Sequence, residues 1–406
     1  MTNLNYYLWL QEALGPGAAN ASLIFEKYTS AEEIFKDTST ARRMAGCFTP
    51  RQIYKMESLY IEDTYETVER CAAQGVDIIT CQDKLYPFYL RQLRDFPINL
   101  FVKGSLEGLL NKVPIAIVGT REPMVTSKTA ATELAKSLSK CGFAVVSGGA
   151  LGVDSAAHTG AISAGEETFA VLGGGHGAKY LRTNDPLRNV ISNCGATLSE
   201  YPPLLEPYKG SFPIRNRIIS GMTVGTVVIE AHERSGSLIT ANRAADQGRD
   251  VFVLSTLKDE KATEGSKGLI VDGAIEFKKA FDIVQFYLDE FEDLVTINKE
   301  VDLSIDLTAL GSEYQKYIHE EKKIRKLDKD IKEAELKRKR SHKREITDPV
   351  SDIARRVYAA FGSDPLSIEK LEDTMVMPLS ELLSALTELE VYGYIELLAN
   401  TNYVIK

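Results

Sequence analysis

The sequence predicts an α/β protein: an extended Rossmann-like, doubly wound, mainly parallel sheet, with a small helical N-terminal domain and a C-terminal winged-helix domain. Three observations carry that expectation. From residue 115, short apolar runs recur without alternation: "IAIV" (115–118), "FAVVS" (143–147), "TFAVLG" (168–173), "VGTVVIEA" (224–231) and "DVFVLS" (250–255). Runs of this kind fit strands buried on both faces of a parallel sheet. Helical stretches at 126–140, 154–164 and 237–248 lie between them. Each glycine-rich turn follows a strand, at the carboxyl edge where such folds hold their ligands.

The chain has 406 residues, 44% of them hydrophobic, which is enough for a full core divided over two or three domains and excludes a disordered chain. No charged start leads into an apolar signal core and no apolar run is long enough to cross a bilayer, so no membrane partner and a cytoplasmic location are expected. Cys47, Cys71, Cys81, Cys141 and Cys194 are widely spaced with no CxxC pair, as structural thiols in a reducing compartment are. No histidine stands at zinc-ligand spacing, so neither a metal nor a cofactor is expected. The net charge of −9 excludes coating of nucleic acid by overall charge, and any polyanion must be met by a local basic patch.

Residues 1–75 read as a helical domain. "LNYYLWLQEALGPGAANASLIFEKY" places apolar residues at helical spacing on either side of "GPG" (15–17). The turn resembles a helix-hairpin-helix, whose amides touch phosphate backbones, or serves packing alone. The Rossmann-like domain is expected over 76–287, entered through an extended lead-in punctuated by Pro87 and Pro97. A charged helical linker is expected over 288–347, almost purely charged from 313 to 345. Over 348–406, three helical stretches and a hairpin "YIELLANTNYVIK" read as a winged helix, which binds DNA or protein partners.

The stretch "VVSGGALGVDSAAH" (145–158) poses the functional question, because a glycine turn between strand and helix commonly receives a phosphate. A dinucleotide site needs G-x-G-x-x-G after the first strand and an acid ending the second. Here the first strand ends in "GTREP", and the second in Ser147. A Walker lysine is missing as well, which removes the P-loop reading. The strand ends instead offer cations and amides: Arg121, the turn glycines Gly148, Gly149 and Gly152, Lys179, and then Lys209, Phe212, Arg215 and Arg217 in "YKGSFPIRNRIISG". Forked cations suit phosphates strung along a strand, and an exposed phenylalanine among them can stack a base. That pattern points to single-stranded nucleic acid. Structural readings stand beside it: Asp154 as a helix cap, His158 as a satisfied core histidine, and Arg215 and Arg217 in buried ion pairs with Glu230 or Glu233.

These residues resemble the DprA/Smf family of bacterial DNA-processing proteins of natural transformation. The resemblance covers nearly the whole chain and is carried by "AIVGTR" (116–121), "VVSGGALGVDSAAHTGAI" (145–162), "FAVLGGG" (169–175), "LSEYPP" (198–203), "FPIRNRIISG" (212–221), "VIEAHERSGSLITANRAADQGRDVF" (228–252) and "GLIVDGA" (268–274). It implies a non-catalytic homodimer that binds and protects single-stranded DNA and helps load RecA. Arg121, Lys179, Lys209, Phe212, Arg215 and Arg217 stand at family DNA-contacting positions, and the glycine turn is expected against a phosphate. The chain departs from the family in Tyr180-Leu181 after the third-strand glycines, in Lys267 where asparagine is common, and in the longer charged linker. The rival reading is a nucleotide-processing enzyme similar to Rossmann-like phosphoribohydrolases, with Glu230 against a ribosyl cation. A regulator acting through the winged helix alone would leave the basic sheet edge unexplained.

Overall fold

The computed structural model describes residues 3–179, 184–255, 263–310, 345–362, 364–398 and 402–405, and the chain divides into two compact units at about residue 315.

Unit 1 is built on one sheet, whose strands are β1 (Asp77–Thr80), β2 (Asn99–Gly104), β3 (Val113–Val118), β4 (Phe143–Ser147), β5 (Thr168–Leu172), β6 (Ala196–Ser199), β7 (Gly225–Val228), β8 (Asp250–Leu254) and β9 (Ile275–Phe277). Their spatial order is β1-β2-β6-β5-β4-β3-β7-β8-β9. The strands β3 to β9 run parallel, with Ile115 beside Val145 on one flank and Gly225 on the other. Chain order runs outward in both directions from β3, so the crevice outside the carboxyl ends of β3 and β7 is the topological switch point. All five predicted strands are present. The helices expected between them are α8 (Val125–Lys140), α9 (Val153–Ser163) and α12 (Gly236–Asp246), and α10 (Asp185–Cys194) and α11 (Ser211–Gly221) complete the cover near the ligand edge.

Two expectations are corrected here. The lead-in over 76–105 supplies β1 and β2, which extend the sheet antiparallel from β6. The region expected to be a linker from 288 is folded as far as 310: Val295, Leu303 and Leu307 are buried in one cluster with Ile115 and Val145, and the Thr296 amide donates to the Cys141 carbonyl at 3.0 Å. The charged stretch from 311 to 344 lies outside the described residues.

The N-terminal helices do not form a separate core. Tyr7, Trp9 and Leu10 of α1 (Asn3–Leu14) share one apolar cluster with Leu100, Val102 and Leu198 of the sheet. Between α1 and α2 (Ala21–Lys27), Gly15 and Gly17 take φ of 78° and 70°, a conformation open to glycine at little cost. The Gly17 amide donates to Glu200 Oε1 at 3.1 Å and Gln11 Nε2 donates to the Glu200 carbonyl at 2.8 Å. This turn therefore presents an amide to a carboxylate of its own chain, and the packing reading of "GPG" prevails over the phosphate reading.

Unit 2 is a winged helix. Helices Asp352–Ala360, Ile368–Met375 and Leu379–Val391 pack on a small sheet in which Asn402–Ile405 pairs antiparallel with both Leu366–Ser367 and Ile395–Leu397. Its own core contains Val357, Leu371, Leu386 and Tyr394. Among the described residues, no helix is long and apolar enough to cross a membrane.

Candidate nucleic-acid interface

The carboxyl edge carries two adjoining cavities. The first, about 440 Å³, has a glycine floor (173–175) and is lined by Lys103, Arg121, Lys179, Arg188, Arg215 and Phe212. The second, about 390 Å³, lies over the switch point and continues past Asn216, His232, Arg234, Ser235 and Ser237. Arg121, Ala150, Phe212 and Arg215 line both and so form the saddle between them.

The saddle follows from local sequence. Arg121 is exposed just beyond β3, and its guanidinium stands over the Phe212 ring, 5.5 Å from the centroid. Phe212 itself lies against Gly173, where an added Cβ would come within 2.9 Å of the ring, so glycine is required for that approach. The cation and the ring hold each other at the lip of the groove, an arrangement worth about 0.5–1 kcal/mol when exposed. Such a pair suits a base on the ring and a phosphate on the guanidinium.

Arg215 is buried. Its Nη1 donates to the Gly148 carbonyl at 2.7 Å and to the Val171 carbonyl at 2.5 Å, tying together the ends of β4 and β5. The carboxylate of Asp154 faces it across Gly148, where a Cβ would come within 2.3 Å of Arg215 Nη1 and 2.6 Å of Asp154 Oδ2. Burial pushes the Asp154 carboxyl above the usual carboxylate range, while the Arg215 charge and the loop amides oppose the shift. Arg215 therefore holds the shape of the groove floor, with its charge facing Asp154, which lines the second cavity.

Several expected contacts are corrected by these bonds. Asp154 Oδ2 accepts the amides of Gly148 at 3.1 Å and Ala150 at 3.3 Å, so those amides serve a carboxylate of the chain instead of a phosphate. Asp154 reaches back to the preceding loop and does not cap the turn that follows. Gly149, with φ of 60°, gives its carbonyl to Asn184 Nδ2 at 2.9 Å. Gly152, with φ of 85°, lines neither cavity and lets the backbone pass Thr120 and Arg121, where a Cβ would come within 2.4 Å of the Thr120 oxygen.

Arg217 also departs from expectation. The segment "SFPIRNRIISG" is the helix α11, so Arg217 points roughly 200° away from Arg215. Its Nη2 donates to Glu200 Oε1 at 2.5 Å and its Nη1 to the Asp95 carbonyl, with both Arg217 and Glu200 side chains 3% exposed. It is a structural arginine, and its partner is neither Glu230 nor Glu233. Lys179 is exposed at the lip, its amide bound to Glu206 Oε1 at 2.9 Å. Lys209 is exposed ahead of α11 and lines neither cavity.

Three cations of the two cavities lie outside the sequence reading. Lys103 enters from β2, within the stretch that reads as a lead-in, Arg188 from α10, where Nη2 stands 3.5 Å from the Gly149 carbonyl, and Arg234 from the loop after β7, in the second cavity. The Asp185-Pro186 opening of α10 was the available signal, as proline at the first positions of a helix commonly marks its start. His176, also in the first cavity, is pushed down to about 4 by burial, with the nearby Lys103 and Arg188 charges adding to the shift. His158 is fully buried, with Nδ1 2.8 Å from Thr168 Oγ1, and burial lowers it to about 3.

Those two histidines give a signed prediction. Between about pH 6.5 and 4 the unfolded chain takes up protons on both while the fold does not, so stability falls as pH falls. Each is expected to cost about 2 kcal/mol at about pH 5 relative to neutral pH. Urea unfolding at the two pH values checks this, and unchanged stability would contradict it.

The enzyme reading loses its residue. Glu230 is 1% exposed, its Oε2 accepts the Met124 amide at 3.0 Å, and it lines neither cavity.

Fold and edge together define a Rossmann-like protein with a cationic, aromatic-walled groove and a C-terminal winged helix. Comparison with known proteins gives the family. The family model described as DNA recombination-mediator protein A matches residues 77–288, and the DprA winged helix domain matches 342–400. The DNA processing protein DprA of Bacillus subtilis is 38% identical over 229 residues, covering 55% of this chain and 77% of that protein. The corresponding protein of Streptococcus pneumoniae is 37% identical over 233 residues, 57% and 80% of the two chains. The X-ray structure of Streptococcus pneumoniae DprA superposes with a TM-score of 0.60 at 30% identity, over 70% of this chain and 98% of that one. The chain belongs to the DprA/Smf family of DNA-processing proteins.

Proposed function

We propose that the carboxyl-edge groove binds single-stranded DNA, that the chain protects such DNA and helps load RecA on it during natural transformation, and that it does so as a homodimer without catalysis. The observation that carries the reading is the saddle: Arg121 over Phe212, flanked by Lys179, Arg188, Lys103 and Arg215. Stacking is sequence-tolerant because every base has a π-face, and spaced cations follow a backbone. A small nucleotide would need one closed pocket, whereas two adjoining cavities suit several consecutive nucleotides. The family's description as a recombination mediator supports the RecA step.

The test is fluorescence anisotropy of labelled oligo-dT across a salt series. Affinity is expected to fall with a log-log slope of about −0.7 per phosphate neutralised. The substitution Arg121→Ala is expected to weaken binding about tenfold, near 1.4 kcal/mol. Removing 348–406 is expected to leave affinity intact, since the groove is complete within unit 1. Absence of oligo-dT binding would assign the groove to a small nucleotide. RecA loading is checked by nucleation rate on DNA precoated with single-strand binding protein, and the dimer by light scattering against the 44.9 kDa monomer.

A further inference from the structure

The folded winged helix, as distinct from the charged stretch before it, carries the wrong charge for a DNA reader. Residues 345–406 hold eleven Asp and Glu against four Lys and Arg, a net −7. A winged helix that reads DNA sets its third helix in the major groove and draws affinity from Lys and Arg on phosphates. Here the third helix, Leu379–Val391, contains neither, and nor do the hairpin strands Ile395–Leu397 and Asn402–Ile405. Glu381 and Glu390 are exposed on that helix instead.

The same helix shows a second, apolar feature. Leu382, Ala385, Leu386 and Leu389 fill the core. On the outward side Leu379 is 43% exposed, Leu383 41% and Val391 77%. Leu379 and Leu383 are neighbours one turn apart, and Val391 lies two turns further on and about 80° round, so the three follow one inclined row along the helix, with Thr387 between them. Exposed apolar surface gathered on one face of so small a domain marks a docking site.

We propose that this face binds a cationic amphipathic helix of a partner protein: an apolar stripe laid on Leu379, Leu383 and Val391, with lysines or arginines over Glu381 and Glu390. Charge selects this occupant. A nucleic-acid strand would meet Glu381 and Glu390 here and find no cation on the helix or the hairpin strands. A second copy of the face would set like charges against each other, which costs affinity. The assignment is independent of the single-strand reading of unit 1.

The experiment uses the full chain and two labelled synthetic peptides of the same leucine and lysine composition, one patterned as an amphipathic helix and one scrambled. The patterned peptide is expected to bind at least tenfold tighter, a difference of about 1.4 kcal/mol. The double substitution Leu383→Gln, Val391→Gln is expected to abolish that preference. The isosteric pair Glu381→Gln, Glu390→Gln is expected to weaken binding several-fold and flatten its salt dependence, without loss of the thermal unfolding transition. Equal binding of the two peptides, or indifference to either pair of substitutions, would overturn the proposal. So would duplex DNA binding that falls when Leu383 and Val391 are changed. Light scattering in which the leucine and valine changes dissociate a self-associated species would assign the face to a second copy.

Discussion

Replacing Arg217 by alanine is expected to destabilise unit 1 by about 3–5 kcal/mol, the usual cost of leaving one member of a buried ion pair alone. Among the described residues, Glu200 Oε1 would keep the Gly17 amide and no ion-pair partner, at 3% side-chain exposure. Because Gly17 and Gln11 both bind Glu200, the loss falls on the seam between the N-terminal helices and the sheet. Urea unfolding measures it. The double variant Arg217→Ala, Glu200→Gln should recover part of the loss, since the stranded charge is then gone. Affinity for oligo-dT, counted per folded molecule, should stay within about twofold, well under the 1.4 kcal/mol of a tenfold change. A folded Arg217→Ala protein with normal stability and weakened DNA binding would place the residue on the strand after all.

Arg217 also shows where the sequence ceased to be legible. Parallel strands buried on both faces announce themselves as continuous apolar runs, so β3, β4, β5, β7 and β8 and the direction of the glycine turn were readable. "FPIRNRIISG" holds arginines two apart, and whether they act together depends on the local period. In a strand both would face one side; in α11 they face opposite sides. Short apolar runs do not settle that choice. Phe212 and Arg215, three apart, share a face in the helix, and both line the groove. Lys103 and Arg188 are brought in by antiparallel pairing of β2 on β6 and by α10, contacts between segments distant in sequence. The Asp154 bonds were hidden for another reason. A carboxylate beside a glycine turn reads equally as a cap for the following helix or as a plug for the preceding loop, and only burial decides.

Gly152→Ala separates the two roles a glycine turn can have. At φ of 85° with the new Cβ 2.4 Å from the Thr120 oxygen and 2.6 Å from the Arg121 carbonyl carbon, the clash is with backbone, which cannot rotate away. Overpacking of this kind costs about 1–3 kcal/mol, and a backbone at φ 85° and ψ −126°, essentially open to glycine alone, about 1–3 more. The neighbours that must yield carry Arg121, so the saddle should widen and oligo-dT affinity should fall together with stability. Gly149→Ala is the comparison. Its φ of 60° also disfavours a side chain, but the nearest atom to the new Cβ is Ala170 Cβ at 3.4 Å, an ordinary van der Waals contact. It should cost only about 1–2 kcal/mol of stability and leave affinity near that of the native chain. If Gly152→Ala is destabilised but binds oligo-dT normally per folded molecule, the backbone passage past Thr120 serves folding alone and Arg121 is positioned from elsewhere. If both glycine variants lose affinity alike, the turn meets the strand through its own backbone, and the occupation of the Gly148 and Ala150 amides by Asp154 must give way when DNA arrives.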